Sequence, residues 1–126
     1  MKLRIKDDSL RFRLLRSEVD ALAGAGRIEA HTLFSADNES DRLCYAVEHA
    51  GHYEAIAARH VGSEIRVTVP THSVLEWARG ATVGMYGEQQ AHGGKILSIA
   101  IEKDFACIDG SDIDNTDTFE NPNLQC

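Results

Sequence analysis

The residues of this chain best suited to chemistry are carboxylates near its C-terminal end, basic residues at its start, and scattered histidines and thiols. Asp109, Asp112, Asp114 and Asp117 fall within DGSDIDNTD, and crowded oxygen ligands of this kind suit a hard divalent cation such as Ca²⁺. The segment lacks the D-x-[DN]-x-[DN]-G-x₅-E order of the familiar calcium loop, so turn formation and solubility are the stronger expectation. Among the six histidines, His49 and His52 form the one close pair. With Cys44 or Glu48 they would offer imidazole, thiolate or carboxylate to zinc. Strand alternation puts Cys44 and Glu48 on one face and His49 on the other, which works against that grouping.

A second constellation is cationic. Lys2, Arg4 and Lys6 alternate with Leu3 and Ile5, while Arg11 and Arg13 alternate with Leu10, Phe12 and Leu14. A hairpin of two such strands gathers these cations on one wet face. That face suits phosphate, a nucleotide, an acidic peptide or the chain's own acidic segment. The plainest expectation is a solvated surface that keeps an edge hairpin soluble. No GxSxG elbow, GxGxxG turn or GxxxxGK[ST] loop occurs, so the usual hydrolytic and nucleotide-binding signatures are missing. The reading favoured is a small binding or interaction module, with a homodimer or protein partner expected, rather than an enzyme. The alternative is a metal-dependent enzyme or metal carrier on the C-terminal carboxylates. No cofactor is predicted beyond a divalent cation.

Composition sets the frame for these groups. The 126 residues, 43% apolar and 26% charged, match one soluble domain spanning residues 1–126. No apolar run approaches the roughly 18 residues of a membrane helix. The start, MKLRIKDDS, carries charges where a secretory signal needs an apolar stretch, so a cytoplasmic, non-membrane protein is expected. Three cysteines, an odd number, argue against a disulfide framework; Cys44 and Cys107 read as buried thiols and Cys126 as an exposed one. All 13 Lys and Arg lie in residues 1–103, whereas the segment 104–126 holds six acidic residues and no basic one. That asymmetry repels a phosphate backbone and disfavours nucleic acid as a partner.

The elements that must position these side chains follow from periodicity. Residues 2–5 and 9–15 read as strands around a KDDS turn. A short helix capped by Ser17 presents Val19, Leu22 and Ala23, and strands at 27–34 and 42–50 follow. The second half repeats the order: strands 53–61 and 64–69, a helix capped by Thr71 with Val74, Trp77 and Ala78, and strands 83–89 and 95–103. A shift of 55 residues places Leu10 on Ile65, Phe12 on Val67, Leu14 on Val69 and Leu22 on Trp77. The expectation is therefore an α+β, mainly antiparallel domain. It is built from pseudo-duplicated strand–strand–helix–strand–strand units, about 1–52 and 53–103, closed as a barrel or as two packed sheets with two short helices. Phe105, Ile108, Ile113 and Phe119 are spaced as anchors pinning the segment 104–126 across the body.

KLRIKDDSLRFRL at the start, with EKDFACIDG and DNTDTFENPN at the end, resembles a small bacterial family of unassigned function. The resemblance covers nearly the whole chain and implies a single-domain cytoplasmic protein. It implies no activity, cofactor or functional residue.

Overall fold

Alternation in the first fourteen residues becomes a hairpin of β1 (Lys2–Ile5) and β2 (Ser9–Leu14), in which Leu3 faces Phe12 and Ile5 faces Leu10. Helix α1 (Arg16–Ala25) leads into a second hairpin, β3 (Arg27–Leu33) and β4 (Arg42–Ala50). The order then recurs as β5 (Ala57–Val61), β6 (Glu64–Pro70), α2 (Thr71–Arg79), β7 (Gly84–Gln90) and β8 (Ile96–Lys103). The structure, a computed structural model, describes residues 1–105 and 117–120.

The eight strands form two open four-stranded sheets, not a closed barrel. Sheet A has the order β1-β2-β8-β7 and sheet B the order β3-β4-β6-β5. The outer pairs of both sheets are antiparallel hairpins, as alternation and turn residues suggest. The middle pairs, β2 with β8 and β4 with β6, run parallel. Alternation fixes which face a strand buries, but it does not fix the direction of a partner contributed by a distant hairpin.

Both sheets feed one core. Phe12 and Leu14 from β2, Val47 from β4, Val67 and Val69 from β6, and Ile99 and Ile101 from β8 are buried with Val19 and Leu22 of α1 and Val74 and Trp77 of α2. Trp77 also satisfies its indole N–H by donating to the Val83 carbonyl at 3.1 Å.

The helix starts depart from the expected caps. Leu15, not Ser17, is the residue before α1, and its N–H donates to Glu18 Oε1 at 2.8 Å. Pro70 precedes α2, and Thr71 is its first helical residue. The Thr71 hydroxyl is engaged instead by His49 Nδ1 at 2.9 Å. Proline, with φ set and no N–H to satisfy, is a natural entry to a helix.

Phe12 is completely buried at the centre of sheet A. Phe12→Ala is expected to cost about 3–5 kcal/mol by cavity formation, read as a lowered midpoint in urea unfolding. A loss below about 1 kcal/mol would show that the sheets do not close over this residue.

Candidate functional site

The outward faces of the two sheets hold the polar chemistry of the described residues. On sheet A the register sets Lys2 opposite Arg13 and Arg4 opposite Arg11. Glu102 of β8 lies 3.4 Å from Arg11 and 3.8 Å from Arg13, and Lys2 lies 3.2 Å from Asp104. Among the described residues, Arg4 and Lys6 have no carboxylate within ion-pair distance. They border a depression of about 190 Å³ together with Ser9 and Arg11. Beside it runs a larger groove, about 490 Å³, floored by Ser9, Ser98 and Ala100 and walled by Arg11, Tyr86 and Glu88. The Tyr86 hydroxyl donates to Glu102 at 2.8 Å.

Sheet B presents an ion-pair network over a small-residue floor. Arg27 of β3 pairs with Glu29 at 2.8 Å, with Glu48 of β4 at 3.2 Å, and with Glu64 of β6. Arg66 donates to Glu64 at 3.1 Å and lies 3.7 Å from Glu48, which also accepts from the Tyr53 hydroxyl at 3.1 Å. Beneath them Cys44, Ala46 and Thr68 are buried. The Cys44 thiol is free and lies 3.9 Å from both Glu29 and Glu64. His31, directly across the ladder from Cys44, brings Nε2 to 3.6 Å from Glu29. Glu29, His31 and Cys44 thus place three ligand atoms within 4.8 Å of one another. This cluster of carboxylate, imidazole and thiol side chains is a donor set for a divalent cation.

Hydrogen bonding to Arg27 holds the Glu64 and Glu29 carboxyls below their ordinary pKa, and Glu64, supported by Glu29, raises that of Arg27. Burial pushes the Cys44 thiol up, and the neighbouring Glu29 and Glu64 charges push it further.

His49 lies on the other side of its strand, as alternation requires. Its ring engages Thr71 and the Leu22 carbonyl at 3.0 Å, away from Cys44. His52 lies against Tyr53, with ring centroids 4.3 Å apart and planes tilted by 45°. The partner of Cys44 was hidden from linear spacing because it comes from β3, across a ladder whose register depends on the turn between the strands.

Of the C-terminal carboxylates, Asp109, Asp112 and Asp114 lie outside the described residues, as do the anchors Ile108 and Ile113 and the thiols of Cys107 and Cys126. Asp117 serves the start of α1. Its carbonyl accepts from the Arg16 N–H at 2.8 Å, and its carboxylate accepts from the Ser17 N–H at 3.0 Å and from the Ser17 hydroxyl. A carboxylate there meets the positive end of the helix dipole. Phe119 donates its N–H to the Asp104 carbonyl at 2.9 Å and packs its ring edge-on to Phe105, centroids 5.9 Å apart.

Fold and faces together define a small two-sheet α+β protein with charged outer surfaces. The chain belongs to the family of unknown function DUF7009, whose model matches residues 1–123. No curated protein and no solved structure matches it. No helix among the described residues is long and apolar enough to cross a membrane.

Two outcomes follow from this geometry. Asp117→Ala removes the acceptor at the start of α1 and is expected to cost about 0.5–2 kcal/mol in urea unfolding, while an unchanged midpoint would deny the capping role. The second concerns Arg27. A carboxyl with a depressed folded-state pKa adds stability that is present above its unfolded value and is lost as pH falls through the folded value. Arg27→Met should therefore lower stability near neutral pH, and its deficit against the parent should shrink on acidification. A deficit that stays constant through the carboxylate range would contradict the coupling to Glu64 and Glu29.

Proposed function

We propose that this protein is a binding module for a small anionic ligand, held on the outer face of sheet A, and not a catalyst. The observation that carries this reading is the unmatched pair Arg4 and Lys6, converging with Arg11 and Ser9 on one depression. Guanidinium and ammonium donors together suit a phosphate or carboxylate group, and the Ser9 hydroxyl beside them donates to the Lys6 carbonyl at 2.6 Å, tying down the turn that carries the pair. The adjoining groove offers the body of such a ligand the face of Tyr86 and the acceptor Glu88. The two depressions share Ser9 and Arg11, so they adjoin closely enough for one molecule to span both.

The alternative of metal chemistry on the C-terminal carboxylates is weakened at Asp117, whose oxygens are engaged with α1. The free thiol of Cys44 suits a reducing setting, and the cytoplasm is the location we propose. We also read residues 1–52 and 53–103 as an internal duplication. The shared element order supports it, as do the positive φ of Asp7 (48°) and Gly62 (59°), each the first central residue of its hairpin turn.

Calorimetric titration of the full chain with inorganic phosphate, and with a simple phosphate monoester, tests the binding role. The ester should bind more tightly than phosphate alone. Arg4→Ala and Lys6→Ala should each weaken binding by about tenfold, the worth of one charge-assisted hydrogen bond. Arg79→Ala, on the distant helix α2, should leave it unchanged. Equal affinity in all three variants, or no heat from either probe, would overturn the reading.

A further inference from the structure

We propose that Glu29, His31 and Cys44 form a binding site for a zinc-class divalent ion on the outer face of sheet B. The site is separate from the proposed anion groove and does not depend on it. Adjacent strands supply the three donors by register. Glu29 and His31 share a face of β3 because they are two residues apart, and Cys44 stands directly across from His31 on β4. Their ligand atoms lie within 4.8 Å of one another, with His31 Nε2 to Glu29 at 3.6 Å and Cys44 Sγ to Glu29 at 3.9 Å. Ligand atoms about 2.0–2.3 Å from zinc are separated by about 3.3–3.8 Å in a tetrahedron; His31 is near that distance from one Glu29 oxygen and Cys44 from the other, so a turn of the carboxylate brings one oxygen to both. Small rotations of exposed side chains shorten the rest, because Glu29 and His31 form the open rim and Cys44 the buried end.

The donor types select the ion. Thiolate with imidazole favours zinc and its neighbours over magnesium or calcium, which take oxygen ligands. The charges around the donors are mixed: Glu29, Glu48 and Glu64 share this face with Arg27, Arg66, Arg42 beside Cys44 and Arg59 opposite Arg66, so donor type and spacing rather than net charge make the site. On binding, the Cys44 S–H bond breaks and its proton leaves to bulk water. The sulfur lone pair bonds to the dication, and no electron is transferred. Arg27 yields Glu29 to the ion and keeps Glu48 and Glu64. Glu64 is occupied by both arginines, so a water takes the fourth position, an arrangement shared with reactive rather than purely structural zinc centres.

Cobalt(II) reports on such a site through its thiolate-to-metal charge-transfer band. The full chain carrying Cys107→Ser and Cys126→Ser, so that Cys44 is the one remaining thiol, is titrated with cobalt and then with zinc. The expected result is a band that saturates at one ion per chain and is displaced by zinc. Cys44→Ser should abolish it, and His31→Ala and Glu29→Gln should each weaken binding at least tenfold. His31 and Glu29 are exposed, so these two variants keep the fold, checked by circular dichroism. If the double-serine background does not fold, His31→Ala in the parent chain gives the same comparison. Absence of the band, or affinity indifferent to His31 and Glu29, would overturn the proposal.

Discussion

In each sheet the two inner strands run parallel and come from different halves of the chain, β2 beside β8 and β4 beside β6. Neither half can complete a sheet without the other, and an isolated hairpin is at best marginally stable in water. The apolar residues of the inner strands, Phe12, Val47, Val67 and Ile101, are all fully buried in one cluster with residues of both helices. Main-chain pairing across the halves and burial of the shared core are therefore one event. The Glu29–His31–Cys44 cluster and the Arg4–Lys6 depression each sit within one first-half hairpin, whereas the groove beside Tyr86 and the ion pairs to Glu64 and Arg66 form only when the halves have docked.

Matching positions on the two ladders carry different chemistry. Ser9 opposite Ser98 in sheet A takes the place that Glu64 opposite Cys44 takes in sheet B. Arg11 beside Ala100 answers to Arg66 beside Ala46. In the next strand, Glu88, Tyr86 and Gly84 stand where sheet B has His31, Glu29 and Arg27. The exchange of Gly84 for Arg27 decides the character of each face. A Cβ at position 84 would come within 2.8 Å of the Tyr86 hydroxyl and 2.9 Å of Glu102, so glycine lets the phenol reach its carboxylate and leaves the neighbouring groove open. Arg27 instead fills its face with three ion pairs. Sheet A keeps concave space and unmatched cations; sheet B keeps a closed network with a thiol at its floor.

The strands and helices were legible because period two and the 3.6-residue stripe each leave direct marks. Leu3, Phe12 and Leu14 announce a half-buried hairpin, and Val74 with Trp77 announces a helix face. The gathering of Lys2, Arg4, Arg11 and Arg13 followed from the same alternation once the turn was recognised. Strand direction across the halves, and with it the choice of open sheets over a barrel, depended on contacts between distant segments that no local pattern encodes. The cluster around Cys44 was hidden for a similar reason, since its imidazole sits thirteen residues upstream in sequence but directly opposite in the ladder. Ser17 looked like a cap because of its type; the true acceptor comes from Asp117, one hundred residues away.

The ends of β4 and β8 explain where the described part of the C-terminal segment is held. His49 and Lys103 both stand near the ends of their strands. Their main-chain N–H groups donate to Gly26 at 2.9 Å and to Val83 at 3.0 Å. Their side chains also reach main-chain carbonyls at the C-terminal ends of the helices, Leu22, which also accepts the Gly26 N–H, for His49 and Gly80, at 2.8 Å, for Lys103. Lys103 is buried, and burial with nearby Arg16 lowers its pKa. Its charge is met by aromatic faces, Trp77 at 5.9 Å and Phe119 at 5.1 Å, and Arg16 lies 4.6 Å from the same Phe119 ring. Two cations and a helix start thus provide the landing place for Asp117 and Phe119. Among the described residues, that docking uses α1, Lys103 and, through Asp104, Lys2 of the basic hairpin, while Arg4 and Lys6 take no part in it.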